Sequence, residues 1–153
     1  MTMDPSPLEI TPQIADIVTG AVDSGNIMLL AAVDADGKPI LSFRGSTAVF
    51  SGTQLSLWAR NSNGGTVEAI GRNPHVALIY RSKDVPVLQF SGRASITGDA
   101  AERDRVYDLM PEQERQSVPD RQGRAIIVDL DEIKGILGFD GNGPVFCHMT
   151  RDR

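Results

Sequence analysis

The residues best equipped for chemistry lie in one stretch, from Pro39 to Pro74. Arg44 and Ser46 stand on a predicted strand, while Arg60, Asn61, Gly64, Gly65 and Thr66 follow a second predicted strand and open a helix. Guanidinium groups hold phosphate oxygens through charge-assisted hydrogen bonds. Two glycines beside a helix start let backbone N–H groups approach an anion closely, and the helix dipole adds a partial positive charge there. The pattern reads as a phosphate cradle. A Gly-Gly pair between strand and helix also serves as an ordinary turn; the polar strand face beside it favours the cradle.

Side chains alternate across a strand. In the first strand Leu41, Phe43, Gly45, Thr47 and Val49 fall together as the expected core face, and Ser42, Arg44 and Ser46, between Ile40 and Ala48, as the wall of a polar site. In the second, Leu55, Leu57 and Ala59 oppose Gln54, Ser56, Trp58 and Arg60, and the Ser51-Gly52-Thr53 turn pairs the two strands. Val67 and Ile70, three apart, predict a helical turn that Gly71 and Pro74 close.

The rest of the chain frames this stretch. Thr11 caps a helix with Pro12 at its first position, and Ile14, Ile17, Val18, Ala21 and Val22 keep helical spacing to near Gly25. Asn26 to Val33 reads as a buried strand, and Asp36-Gly37 turns it into the central hairpin. His75 to Arg81 alternates Val76, Leu78 and Tyr80 with Ala77 and Ile79, so both faces are expected to be covered. Val85 to Thr97 sets Leu88, Phe90, Gly92, Ala94 and Ile96 against Gln89, Ser91, Arg93 and Ser95, a polar face suited to a ligand groove or a subunit interface. Asp99 to Met110 is a predicted helix with a capping-box start and a stripe of Val106, Leu109 and Met110. Pro111 to Arg124 reads as a short helix and loop, Ala125 to Leu130 and Ile133 to Gly138 as strand, and VFCHM as an added edge strand.

Composition narrows the function classes. A chain of 153 residues, 41% of them hydrophobic, suits one domain spanning residues 1–153. A net charge of -5, with arginines scattered among acids, argues against a nucleic-acid surface. The longest apolar run, Ile27 to Val33, is far short of the ~20 residues a bilayer requires, so no membrane partner is expected. The opening MTMDPSPLEI lacks the basic-then-apolar order of a signal peptide, and the single cysteine, Cys147, suits a reducing compartment; a cytoplasmic location is the expectation. His75 and His148 are the only histidines, without HExxH or paired-cysteine spacing, so no metal site is assigned. Cys147 and His148 are adjacent on a strand and point to opposite faces, which argues against a nucleophile–base pair. No Gly-x-Ser-x-Gly elbow, P-loop or dinucleotide fingerprint is present. Trp58 is assigned to packing or an interface, and no catalytic residue is assigned.

In order and spacing, SFRGSTAVF, LSLWARN, GGTVEAIGRNP and HVALIY resemble the pyridoxamine phosphate oxidase-like split-barrel flavoproteins, over roughly Gly25 to Thr97. The resemblance implies a mainly β fold with flanking helices (α+β), a six-stranded antiparallel split β-barrel of FMN-binding type. It also implies FMN as cofactor, its phosphate held by Arg44 and by the loop from Arg60 through Asn61, Gly64 and Gly65 to Thr66, with Ser46 and Gln89 completing the set. Many members place a lysine where this chain has Thr66, so that basic anchor is missing. True pyridoxamine phosphate oxidases use an Arg and a Trp near the C-terminus, whereas this chain ends CHMTRDR, so vitamin B6 oxidation is not implied.

The function that follows is an FMN-binding oxidoreductase moving a hydride or electrons through bound flavin to an unidentified small molecule. Two alternatives stand beside it: a deazaflavin-dependent reductase, and a non-enzymatic haem- or flavin-binding sensor or carrier, for which His75 and His148 are the obvious haem ligands. The resemblance further implies a homodimer with cofactor sites at its interface, near the polar face carrying Gln89, Ser91 and Arg93.

Overall fold

The computed structural model describes residues 4–151; the first three residues of MTMDPSPLEI and the last two of CHMTRDR lie outside them. Among the described residues nine strands and four helices follow in the order β1 (Ser6–Pro7), α1 (Pro12–Thr19), β2 (Leu29–Val33), β3 (Pro39–Phe43), β4 (Ala48–Ser51), β5 (Gln54–Ala59), α2 (Gly65–Arg72), β6 (His75–Arg81), β7 (Val87–Ile96), α3 (Ala100–Leu109), α4 (Glu112–Gln116), β8 (Arg124–Asp140) and β9 (Gly143–Thr150). The strands form one connected sheet in the order β1-β9-β8-β7-β6-β2-β3, with β5 also on β8 and β4 on β5. The mainly β fold with flanking helices is as expected, but the sheet has nine strands rather than six and does not close.

Two local events shape the sheet. The expected continuous strand from Pro39 to Val49 breaks at Arg44 to Thr47. There the Arg44 amide donates to Met28 O at 2.8 Å and the Thr47 hydroxyl donates to Arg44 O at 2.8 Å, so the chain turns between β3 and β4. The second event is β8, a single 17-residue strand. Its first half pairs with β5 and its second with β9, while β7 runs along both. Between Leu130 and Glu132 the register against β7 shifts, a bulge of the kind that bends a strand and re-aims its pairing. Gly92 sits opposite, where an added Cβ would lie 2.9 Å from the Asp129 carbonyl carbon and the Leu130 Cα. Only glycine lets the backbones approach so closely.

The main core gathers Ile14 and Val18 of α1, Val67 and Ile70 of α2, and the inner faces of β2 and β5 to β9. Thr11 caps α1 by accepting from the Ile14 amide at 3.3 Å, and Pro12 takes its first turn, as the sequence predicts. A second cluster, with Phe50, Trp58, Val106, Tyr107, Met110 and Ile127 among its members, packs under α3. Because α3 covers it, the face of β5 expected to be polar is buried: Trp58 is 2% exposed and donates from Nε1 to Gln122 O at 2.7 Å. Asp99 caps α3 by accepting from the Ala101 amide at 3.3 Å, while Glu102 accepts instead from the Thr97 hydroxyl at 2.7 Å. Of the expected stripe Val106 and Met110 are buried, but Leu109 is exposed and Tyr107 is buried in its stead.

The expected core face of β3 is overturned. Leu41 and Phe43 are 66% and 73% exposed, because β3 is an edge strand whose alternation turns them outward. Cross-strand register sets Phe43, Leu29, Ile79, Gln89, Lys134 and His148 in one row on the same outer face. Along that row the side chains are apolar on β3, β2 and β6 and polar on β7, β8 and β9. Ile79 is consequently exposed, so β6 is covered on one side only. No helix among the described residues is long and apolar enough to cross a membrane.

Candidate functional site

Arg44 leaves β3 at the turn, and two neighbours fix its side chain. Its Nε donates to Ser42 Oγ at 3.0 Å, and its Nη2 donates to Thr66 Oγ1 at 2.6 Å. The guanidinium is half-buried, and its pKa is lowered by that burial first and by the charge of Arg60 second. A second guanidinium close enough to disfavour the charge of Arg44 makes a place where an anion is welcome.

Arg60 follows the last residue of β5, and its Nη2 lies 2.9 Å from Glu114 Oε2 on α4. Asn61 shapes the loop into α2: its Oδ1 accepts from the Asn63 amide and its carbonyl from the Gly64 amide, both at 3.1 Å. Gly64 is the N-cap, with extended backbone and no side-chain hydrogen bond to the first turn. The helix start that carries Gly65 and Thr66 therefore keeps amide donors that no capping side chain takes. Ser46 is buried, and its hydroxyl both accepts from the Trp58 amide at 2.9 Å and donates to Trp58 O at 3.2 Å.

Arg44, Ser46, Arg60 and Asn61 thus line one cleft of about 440 Å³, with Ile27, Phe43 and Glu114 among its other walls. Thr66 joins through its bond to Arg44. A second cleft of about 440 Å³ shares Ile27 and Phe43 with the first and continues over Leu29 and Ile79 to Arg81. Gln89 is not in the cationic cleft; it lies farther along, in a shallow recess with Leu29, Leu41 and Ile79. The result is a cationic end opening onto an apolar sheet face.

Sequence reasoning missed Glu114, Ile27 and Phe43. Phe43 was legible as an apolar residue beside Arg44, but alternation alone does not say which face of an edge strand is inward. A larger cleft, about 580 Å³, lies elsewhere, between α1 and the α3–α4 corner. Its cation, Arg115, is bound to the carbonyls of Asp108 and Met110, and acids Asp23, Asp108 and Glu112 crowd it, so it is poorly suited to an anion.

Among the described residues no cluster of three His, Cys, Asp or Glu side chains is placed to hold a metal ion. His148 Nε2 lies 2.8 Å from Glu132 Oε2, and His75 is exposed at the start of β6. Cys147 is buried, which pushes its thiol pKa up and keeps it protonated.

An open, split sheet with flanking helices, with two arginines in a cleft at one end of its apolar patch, is the architecture of a split-barrel protein. The family model for pyridoxamine 5'-phosphate oxidase matches residues 10–136, and the chain belongs to that family. No curated protein matches the sequence. Among solved structures, HupZ of Group A Streptococcus is similar with a TM-score of 0.62 at 19% identity, covering 81% of this chain and 91% of that one. A Clostridium acetobutylicum protein related to general stress protein 26 of B. subtilis (pyridoxinephosphate oxidase family) gives 0.59 at 16%, covering 82% and 87%. An FMN-binding protein from Syntrophomonas wolfei gives 0.61 at 9%, covering 78% and 83%. At these identities the likeness shows the fold.

Proposed function

We infer that the protein binds FMN and works as an oxidoreductase, passing a hydride or electrons to a small molecule. The observation that carries this reading is the pairing of Arg44 and Arg60 in one cleft whose far side opens onto an apolar face. A ligand that fits has an anionic head and a flat, largely apolar body. Family membership and the FMN-binding structural neighbour support flavin as that ligand.

The donor set fits a flavin phosphate. Arg44, oriented by Ser42 and Thr66, and Arg60 would hold the phosphate together with the first amides of α2, while Ile27, Phe43 and Leu29 would carry the ring. When bound, the flavin itself supplies the redox chemistry, and the protein supplies position and electrostatics. The apolar outer face, with Leu41, Phe43 and Ile79, is the surface on which a second copy would complete the ring's enclosure, giving a homodimer with one flavin per chain.

Titration of purified protein with FMN should quench flavin fluorescence at one equivalent per chain, and light scattering should report about twice the chain mass. A charge-assisted hydrogen bond contributes roughly 1.5–3 kcal/mol, so Arg44→Ala should weaken FMN binding by about tenfold or more. Unchanged affinity would move the phosphate elsewhere. Parallel incubation with a deazaflavin cofactor and with haem distinguishes the alternatives: a Soret band lost on substituting His75 or His148 would replace the flavin reading.

A further inference from the structure

We propose that Glu114 is a resident counter-ion of the Arg44–Arg60 cleft, which the phosphate of an incoming ligand must displace. This rests on the anion-binding reading above and adds an internal competitor to it.

The carboxylate sits in the cleft rather than beside it. Glu114 Oε2 is 2.9 Å from Arg60 Nη2, and the glutamate side chain is only 22% exposed against 55% for the arginine. An ordinary surface pair leaves both groups in water; here the acid is the more sheltered partner. A Cβ built on Gly45 would stand 2.9 Å from the Glu114 carboxyl carbon and closer still to Oε1. The carboxylate therefore rests on the turn between Arg44 and Ser46, an approach that the missing side chain of Gly45 permits. Its oxygens offer the guanidinium what a phosphate oxygen would offer, so carboxylate and phosphate compete for one place.

The element that delivers Glu114 is lightly held. Helix α4 is five residues long, has no side-chain cap and buries none of its residues. Its anchors lie on other atoms: Arg115 Nη1 donates to Asp108 O and Met110 O, and Tyr107 Oη donates to Val118 O at 2.9 Å. Glu114 can rotate out of the cleft without disturbing them. A site open for a tenth of the time binds about tenfold more weakly than its intrinsic affinity. The counter-ion thus sets how much anion is needed to occupy the cleft and, in its absence, pairs with Arg60 and offsets part of the charge of the two cations.

The test is a titration of the full chain with inorganic phosphate, followed by the NMR signals of the Gly45 amide and Arg60 Nε, and then with FMN. Glu114→Gln keeps the shape and removes the charge, and should tighten phosphate binding by about three- to tenfold. Glu112→Gln removes the same charge from the same helix, but its side chain lines the separate cleft beside α1, and affinity should not change. Gly45→Ala pushes the carboxylate off the turn, so adding Glu114→Gln in that background should give little further gain. Equal gains from the Glu112 and Glu114 variants would assign the effect to long-range charge and overturn the proposal, as would no gain from Glu114→Gln. If Glu114→Gln tightens phosphate while neither protein binds FMN, the counter-ion stands and the flavin reading falls.

Discussion

Thr66 shows how a residue that breaks a family pattern acquires another role. The resemblance places a lysine there, and its absence reads as a missing anchor. In the structure the threonine hydroxyl is the acceptor that orients Arg44 Nη2 at 2.6 Å, while Ser42 holds Nε at 3.0 Å. A half-buried guanidinium fixed by two acceptors loses little freedom when it meets an anion, which is preorganisation rather than added charge. Thr66→Val keeps the shape and removes the acceptor. We expect it to weaken FMN binding by roughly three- to tenfold, a loss of about 0.6–1.4 kcal/mol. Calorimetry should show the loss without a matching fall in melting temperature; unchanged affinity would mean that Ser42 alone positions Arg44.

At the scale of elements, the bend in β8 decides where the cleft can be. Its first half carries β5, which leads directly into Arg60, and its second half carries β9. Without the shift between Leu130 and Glu132, one strand could not serve both. Gly92 is the permissive residue, because a Cβ there meets backbone atoms of Asp129 and Leu130 that have nowhere to move. Overpacking of this kind costs about 1–3 kcal/mol. Gly92→Ala should lower unfolding free energy by that amount in urea, whereas Gly98→Ala, with nothing within 4 Å of the added Cβ, should not. Equal stability of the two variants would show that the bulge relaxes to admit a side chain.

For the whole molecule, the decisive feature is the exposed apolar patch on the outer face of β3, β2 and β6. Leu41 and Phe43, at 66% and 73% exposure, contribute little to the core of one chain. Exposed apolar groups gathered beside a cleft mark an interaction surface. Replacing both with serine should leave the melting temperature of the monomer nearly unchanged but abolish the dimer in light scattering at micromolar concentration. FMN affinity should fall with it, since the ring would lose both Phe43 and the wall supplied by the second copy. A double variant that remains dimeric would place the interface on another face.

Much of this was legible in the chain itself, because it depends on neighbours in sequence. The caps at Thr11 and Asp99, the helix opened by Gly64 and Gly65, and the alternation of β6 and β7 follow from local periodicity and backbone preference. So does the placing of Arg60 at the end of a strand, whereas the break of the expected strand at Arg44 does not. What sequence could not supply was which face turns inward, since alternation is symmetric until a neighbouring layer covers one side. Covering by α3 buried Trp58, and the edge position of β3 exposed Phe43. Glu114 reached the cleft by the same route: 54 residues beyond Arg60, it has no local pattern linking the two. Only the packing of the α3–α4 segment over the β3–β4 turn brings that carboxylate to the arginine, and long-range packing is decided by the whole chain at once.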